Sequence, residues 1–538
     1  PEIKEIKNYL AEELPEYMIP SHLIFLDDLP ISPTGKIDIK ALPHPKTRAG
    51  ISNYRPPRTG QEEKLVTIWR QVLGIERVGI EDNFFDLGGD SIKGIQIISR
   101  AHQVGLRLTV KDIFQHKTIS GIAENVELKR SEIKISQEEV TGQVLLTPIQ
   151  HWFFEQDFEY PGYWNQTNLF RLPADLDIER LEEALLVLVE HHDALRMSYN
   201  LSEQGVEQIN RRVDQVDFSL IQKNLSNYDT GLQNKKIEEL AVQIQKDLDL
   251  EEDLLFKAIL FNLGQNGYQL LIPVHHLVID GVSWRILIED LEKLYTYPEV
   301  ELPLKTTYQE WSKRLNQYAN ETPIDINYWE ELSDRELDSL VEFGLKDNYL
   351  CDHQNLAGKL DPEETEQLLK KVNWAYGTEI NDILLTALVY TTEQILGKSE
   401  ILVNLENHGR EEIFTDIDLS RTIGWFTSTY PVLLEKNGGL RETIVEIKEE
   451  LRQIPNNGLN YGLAAYLNRD NRLRALKPQI IFNYLGQFNE LNDSANSLIL
   501  NSHFINGFYS QNHHPTLLDI NSMVMGGELT LNFDYNQK

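Results

Sequence analysis

The sequence predicts a multidomain protein: a small domain of four helices, followed by a large α/β region in two subdomains. Three observations lead there. The chain has 538 residues, room for about three or four domains of ordinary size. Residues 61 to about 128 look like a small helical domain, with apolar side chains at helical spacing over Gln61–Leu73. From Val144 to the end, helix-like and strand-like segments alternate, over a stretch too long for one typical domain. The two halves of residues 144–538 are expected to meet near Tyr318 to Asn327.

Residues 1–48 are punctuated by proline, as in Tyr17-Met-Ile-Pro20 and Ser32-Pro33-Thr34-Gly35-Lys36, and hold too little to bury a core. Residues 49–60, with Pro56-Pro57, read as a linker. The first helix is expected over Gln61 to Leu73, where Leu65, Ile68, Trp69, Val72 and Leu73 share one face. A loop with Asn83-Phe84-Phe85 leads to Leu87-Gly88-Gly89-Asp90-Ser91. A second helix is expected from Ser91 to about His102, and shorter ones over Val110–Gln115 and Ser120–Leu128. The charged residues 129–143 read as a second linker. Further on, Asp177 to Glu190 is helix-like, with Leu181, Ala184, Leu185, Leu188 and Val189 on one face. Tyr268–Val274 and Ile401–Leu405 read as strands. Leu529–Tyr535 reads as a strand cut short. With Pro1 in first place, the chain reads as a fragment of a longer polypeptide.

Composition narrows the function classes. With 41% hydrophobic and 25% charged residues, the chain resembles soluble globular proteins. No apolar run has membrane-spanning length and no signal peptide is visible, so a cytoplasmic location without membrane contact is expected. The single cysteine, Cys351, rules out an internal disulfide and fits a reducing compartment. No Cys/His cluster has zinc spacing, so no metal site is expected. The net charge of −33, from 51 basic and 84 acidic residues, argues against nucleic acid as a partner.

The chemistry concentrates at His275-His276-Leu-Val-Ile-Asp280-Gly281, directly after the strand ending at Val274. Histidine takes and gives a proton near neutral pH, and a strand end can aim it into a cavity. Two other pairs act as controls. His191-His192 ends a helix-like segment, where imidazoles complement the helix dipole in a structural role. His513-His514 lies in a polar stretch with no motif around it. Separately, Gly88-Gly89-Asp90-Ser91 puts a serine at a helix start, where free N–H groups favour a phosphodiester as well as an ordinary cap.

The string Asp82-Asn-Phe-Phe-Asp-Leu-Gly-Gly-Asp-Ser-Ile-Lys93 resembles the attachment site of peptidyl carrier proteins in nonribosomal peptide synthetases. The resemblance implies 4'-phosphopantetheine on Ser91, placed there by a phosphopantetheinyl transferase. Leu29 to Lys40 looks like the last motif of adenylation domains, with Lys36 at the lysine position and Ile39 where arginine is usual. Residues 1–48 then represent the remnant of an upstream adenylation domain, whose core is absent from this chain. Residues 144–538 resemble the condensation/epimerization superfamily, which implies a two-subdomain fold like chloramphenicol acetyltransferase. Several strings resemble epimerization domains in particular: Thr147 to Phe154, Val282-Ser283-Trp284-Arg285 after Asp280-Gly281, Glu406-Asn-His-Gly-Arg-Glu411, Arg421 to Val432, Pro455 to Gly462, and Phe482 to Phe488. The whole order resembles initiation modules of the gramicidin S and tyrocidine type. Asn407 and Asn460 stand where glycine is usual, and asparagine is expected to keep those turns because it tolerates positive φ.

What this resemblance implies is epimerization, L to D, of an aminoacyl or peptidyl thioester for a downstream condensation domain or synthetase. His276 and Glu406 are the implied acid/base pair, with His275 supporting the turn. Asn483 and Tyr484 are candidate donors to the oxygen that gains charge. Asp280 is expected to hold the loop by pairing with Arg285 or Arg421. Two other readings use the same residues. A condensation-type acyltransferase shares His276 but has no need of Glu406, and a non-catalytic carrier and docking segment needs neither.

Overall fold

The computed structural model describes residues 54–125, 139–337, 340, 348–372, 376–488, 498–499, 501–505 and 511–538. The adenylation-like segment, with Lys36, and most of the second linker lie outside the described residues.

The first domain is helical. Helix α1, Gly60–Leu73, starts at Thr59, whose side chain accepts from Glu62 N while Glu62 reaches back to the cap. Its apolar face is buried, and Trp69 meets Phe84 edge-to-face at 5.2 Å. Helix α2, Ser91–Gln103, is capped by Asp90, which accepts from Lys93 N at 2.8 Å. Ser91 is therefore the first helical residue and Asp90 is the cap. Gly89 is needed just before it: a Cβ there would sit 2.5 Å from the Phe84 ring. Helices α3, Val110–His116, and α4, Ile119–Asn125, complete the bundle.

The large domain opens with β1, Gly142–Val144, α5, Pro148–Glu155, and β2, Asn165–Leu172. Helix α6, Ile178–His191, buries the predicted leucine face. Strands β3, Met197–Ser202, and β4, Gly205–Asn210, form a small sheet with β1. Then come β5, Ile221–Asn224, α7, Thr230–Lys246, β6, Ile259–Asn262, β7, Tyr268–His275, α8, Gly281–Thr296, and α9, Tyr308–Glu321. The second half contains α10, Asn327–Ser333, β8, His353–Leu360, α11, Ile380–Leu396, β9, Glu400–Asn407, β10, Ser428–Glu435, and α12, Leu440–Gln453. It ends in β11, Ile480–Phe488, β12, Asn501–Ile505, β13, Leu518–Met525, and β14, Glu528–Asn536.

Two main sheets result. One is five-stranded, β12-β2-β7-β6-β5, and the other six-stranded, β10-β9-β11-β13-β14-β8. Each has its own core. The first takes in residues from Val144 to Ala319, and the second residues from Trp329 to Leu529. The halves are interleaved. Residues Leu419 to Phe426 enter the first core, and β12 pairs antiparallel with β2. Leu459, Leu463, Leu498 and Ile499 of the second half also join the first core.

Some local expectations change. The His191-His192 pair is structural, but not through positive charge. Burial drives His191 down to about 2 and His192 well below its ordinary value, so both rings are neutral. Lys305 Nζ instead meets the last-turn carbonyl, donating to His191 O at 2.7 Å, and His192 Nε2 lies 3.1 Å from Asp290. Asn407 and Asn460 do not adopt positive φ. Asn407 ends strand β9 and Asn460 lies in a helical turn, while Asn456, Asn457 and Gly409 take the left-handed conformations.

Candidate active site

Strand β7 carries His275 to its end, and the chain then makes a tight turn, His276–Val278, before helix α8. His275 is fully enclosed. Its Nε2 donates to Pro161 O at 2.8 Å and its Nδ1 accepts from Leu277 N at 3.1 Å, so both ring nitrogens are committed. Burial pushes it down to about 3. It fixes the turn as a neutral ring.

His276 is different. Its Nδ1 lies 2.8 Å from Ile279 O, and a carbonyl only accepts, so Nδ1 carries the proton. Its Nε2 then accepts from Gln166 Nε2 at 2.9 Å. Burial lowers its pKa, which favours this neutral form with a basic Nε2. The Trp425 ring packs on it at 4.3 Å between centroids. An aromatic face eases the positive charge a base acquires on taking a proton.

Asp280 caps α8, accepting from Ser283 N at 2.7 Å. Its ionic partner is Arg410, with Nη1 at 2.7 Å and Nη2 at 3.1 Å from the carboxylate, in place of the expected Arg285 or Arg421. Burial alone would raise the Asp280 carboxyl, but the Arg410 guanidinium outweighs it and holds it below its ordinary value. Arg421 is engaged elsewhere, with Glu289 at 2.8 Å and with Asp290. Arg285 faces the Leu485 carbonyl and the first domain. Arg410 also donates to Ser283 Oγ and Thr422 O, while Phe426 N donates to Asp280 at 3.1 Å. This network holds Trp425 against His276. Gly409, at φ 65°, lets the chain reach it: a Cβ there would lie 1.7 Å from Phe426 O.

Glu406 stands near the end of β9, opposite Thr429 of β10. Asn483 Nδ2 of the neighbouring β11 donates to its Oε2 at 2.6 Å. Burial, with the negative charge of Asp519 added, raises the Glu406 carboxyl to about 7. Asp519 belongs to the cluster around the His513-His514 pair: His514 Nε2 is 3.3 Å from it and 4.5 Å, ring to ring, from His353. Trp425 on His276 is four residues from Thr429 beside Glu406, so the two groups flank one stretch of chain from different subdomains. No hydrogen bond or ion pair joins them among the described residues.

The structure separates Asn483 from Tyr484, which alternate along β11. Asn483 meets Glu406. Tyr484 points toward Asp90 and Arg285; burial first, and then the Asp90 charge, raises its pKa, and its buried hydroxyl has no partner among the described residues. The first domain docks here. Asp90 accepts from Gln487 N at 3.3 Å, and α2 lies against the start of α8 with Ile92 and Ile95 facing Val282 and Ile286. At the far end of α2, His102 Nδ1 is 2.7 Å from Asp418, and Val110 N donates to Glu412 at 3.1 Å.

The start of α2 would suit a phosphodiester. The helix start offers N–H groups, and Arg285 and the unpartnered Tyr484 hydroxyl stand beside Asp90, one residue away. Gln166, Trp425 and Arg410 had no role assigned from sequence. The last two lie within quoted strings, but only their contacts give them one.

A carrier-type helical domain followed by a two-subdomain α/β domain is a domain order found within nonribosomal peptide synthetases. The chain belongs to the condensation-domain family, whose model, described as Condensation domain, matches residues 140–538. A second model, described as Phosphopantetheine attachment site, matches residues 63–126. Surfactin synthase subunit 1 of Bacillus subtilis (strain 168) is 40% identical over 559 residues, covering 99% of this chain and 15% of that protein. Gramicidin S synthase 1 of Brevibacillus brevis is 40% identical over 563 residues, covering 100% of this chain and 50% of that protein. The chain thus spans half or less of these relatives. Among solved structures, the epimerization domain from the third module of tyrocidine synthetase B is 35% identical, with a TM-score of 0.68, covering 75% of this chain and 93% of that one. The condensation domain of the Monacolin K polyketide synthase, at 15% identity and a TM-score of 0.59 over 74% of this chain and 92% of that one, shares the fold.

Proposed function

We propose that this chain inverts the α-carbon of an aminoacyl or peptidyl thioester held on Ser91. The observation that carries this reading is the presence of two proton-transfer groups, on different subdomains, that flank the stretch from Trp425 to Thr429 and are each tuned by burial. Glu406 is raised to about 7, and His276 is held neutral with Nε2 as an acceptor. At neutral pH a Glu406 carboxyl of this kind is close to half protonated, the state in which it both takes and gives a proton readily. The epimerization-domain likeness at 35% identity supports the same reading.

The arm, 4'-phosphopantetheine, supplies the thiol that holds the acyl group as a thioester, whose α-carbon is more acidic than that of an amide. Arg285 and Tyr484 would hold its phosphodiester end. His276 Nε2 or Glu406 removes the α-proton, according to the configuration presented, and the other returns a proton to the opposite face. Asn483 steers the Glu406 carboxylate and offers an amide donor near the oxygen that gains charge. Asp280 and Arg410 act through Trp425 and Phe426, as positioning residues.

The test uses the full chain, loaded on Ser91 by a phosphopantetheinyl transferase and held in deuterated water. Wild type is expected to incorporate deuterium at the α-carbon and give a mixture of configurations, while His276→Ala and Glu406→Gln do neither. Retained exchange in both variants refutes the assignment. A condensation activity would instead lengthen the acyl chain and survive Glu406→Gln. Ser91→Ala is expected to gain no pantetheine mass.

A further inference from the structure

The six-stranded sheet has two unlike faces. One carries Val403, Leu405, Phe482, Ile520 and Leu529 into the second core. The other carries amides. Directly paired residues on neighbouring strands point to the same side. Asn483 is paired with Asn521, and Asn521 with Asn532, so three asparagines form a line across β11, β13 and β14. Asparagine is disfavoured inside strands, so the line calls for a cause other than strand stability. Asn521 and Asn532 are half-buried, and neither side chain has a hydrogen-bond partner among the described residues.

The line starts at the reacting centre, because Asn483 donates to Glu406 at 2.6 Å. The parallel row beside it is occupied. Asp519 is held by His514 at 3.3 Å, and Asp534 by His353 at 2.6 Å. In the amide row, by contrast, Asn521 and Asn532 keep their donors and acceptors unused among the described residues. An amide side chain offers both, the complement of a peptide N–H and C=O, and it carries no charge that would select one side chain over another. Strands lie about 4.8 Å apart, so the three gaps from Glu406 to Asn532 span about 14 Å, the length of roughly four residues of extended chain.

We propose that Asn521 and Asn532 form a subsite for the peptide chain upstream of the reacting residue, so that the thioester this domain takes is peptidyl. This rests on the epimerase reading above. The docked first domain contacts Gln487 at the other end of β11, so the arm enters from one end and the acyl chain continues along the amide row.

The experiment loads Ser91 of the full chain with aminoacyl or tripeptidyl pantetheine sharing one C-terminal residue, across a small set of such residues. Deuterium uptake at the α-carbon is then followed by mass spectrometry. Wild type is expected to exchange the tripeptidyl form at least about tenfold faster than the aminoacyl form. Asn521→Ala with Asn532→Ala should bring that ratio close to one, a loss of about tenfold expected for two hydrogen bonds. Unfolding curves that match wild type establish that the variant is folded; Asn521→Ser with Asn532→Ser is the substitute if they do not. A wild-type ratio near one, or a ratio unchanged in the variant, overturns the subsite while leaving the epimerase reading intact. No exchange from either form in wild type overturns the epimerase reading, and the subsite with it.

Discussion

Glu406→Gln should stabilise the protein above neutral pH while stopping proton exchange. The folded protein holds the Glu406 proton more tightly than the unfolded chain does. Its stability is therefore full below about pH 4.5 and falls as pH rises to about 7. A rise from 4.5 to about 7 corresponds to about 3.4 kcal/mol at pH well above both values. The side chain keeps a partial opening to solvent, which reduces this to about 2 kcal/mol. Glutamine keeps the shape and still accepts from Asn483, but it has no charge to desolvate. For a domain of roughly 400 residues, about 2 kcal/mol raises the melting temperature by about 2 °C. Urea and thermal unfolding of wild type and variant at pH 5.5 and 8.5 read this directly. The gain should be larger at pH 8.5. An equal gain at both pH values, or a loss at pH 8.5, would show that burial does not raise this carboxyl and would remove the physical basis for its acid/base role.

Three further outcomes follow from other contacts. Arg410→Leu leaves the Asp280 carboxylate buried without its partner and should cost about 3–5 kcal/mol, measured by urea unfolding. The His102–Asp418 contact should hold the first domain in place while His102 is protonated. Burial opposes that charge, but the Asp418 carboxylate outweighs it and, with Glu412 adding, raises the His102 pKa. Docking should therefore be tightest below that pKa and weaken as pH rises through it. A distance-reporting label pair on the two domains would show the change, and His102→Ala should abolish the pH dependence. Gly89→Ala would drive a methyl into the Phe84 ring and should cost about 1–3 kcal/mol in the first domain, seen as a lower first unfolding transition.

Much of the scaffold was legible because it is periodic. The faces of α1 and α6 follow from apolar spacing alone, and β7 and β9 from apolar runs closed by polar turns. The start of helix α8 was not read, although Asp280 is a residue type that caps helices. What local spacing does not encode is reach between distant segments. Asp280 finds Arg410 across 130 residues, past the much nearer Arg285, because residues 408–427 fold back over the start of α8. The same folding back gives Trp425 its place on His276. The two asparagine substitutions illustrate a different limit. They were read as turn residues because glycine is usual there, but β9 runs through Asn407 as extended backbone, and the left-handed positions fall at Gly409 and Asn456–Gly458.

Strand β12 belongs by sequence to the second half yet completes the edge of the first sheet, with five paired positions from Asn501 to Ile505. At about 1 kcal/mol per hydrogen bond, peeling it away would cost several kcal/mol. That strap sets an upper limit on how far the halves can swing apart without local unfolding. A wider swing would have to strip β12 from β2 first, so motion between the halves is confined to what that pairing can follow.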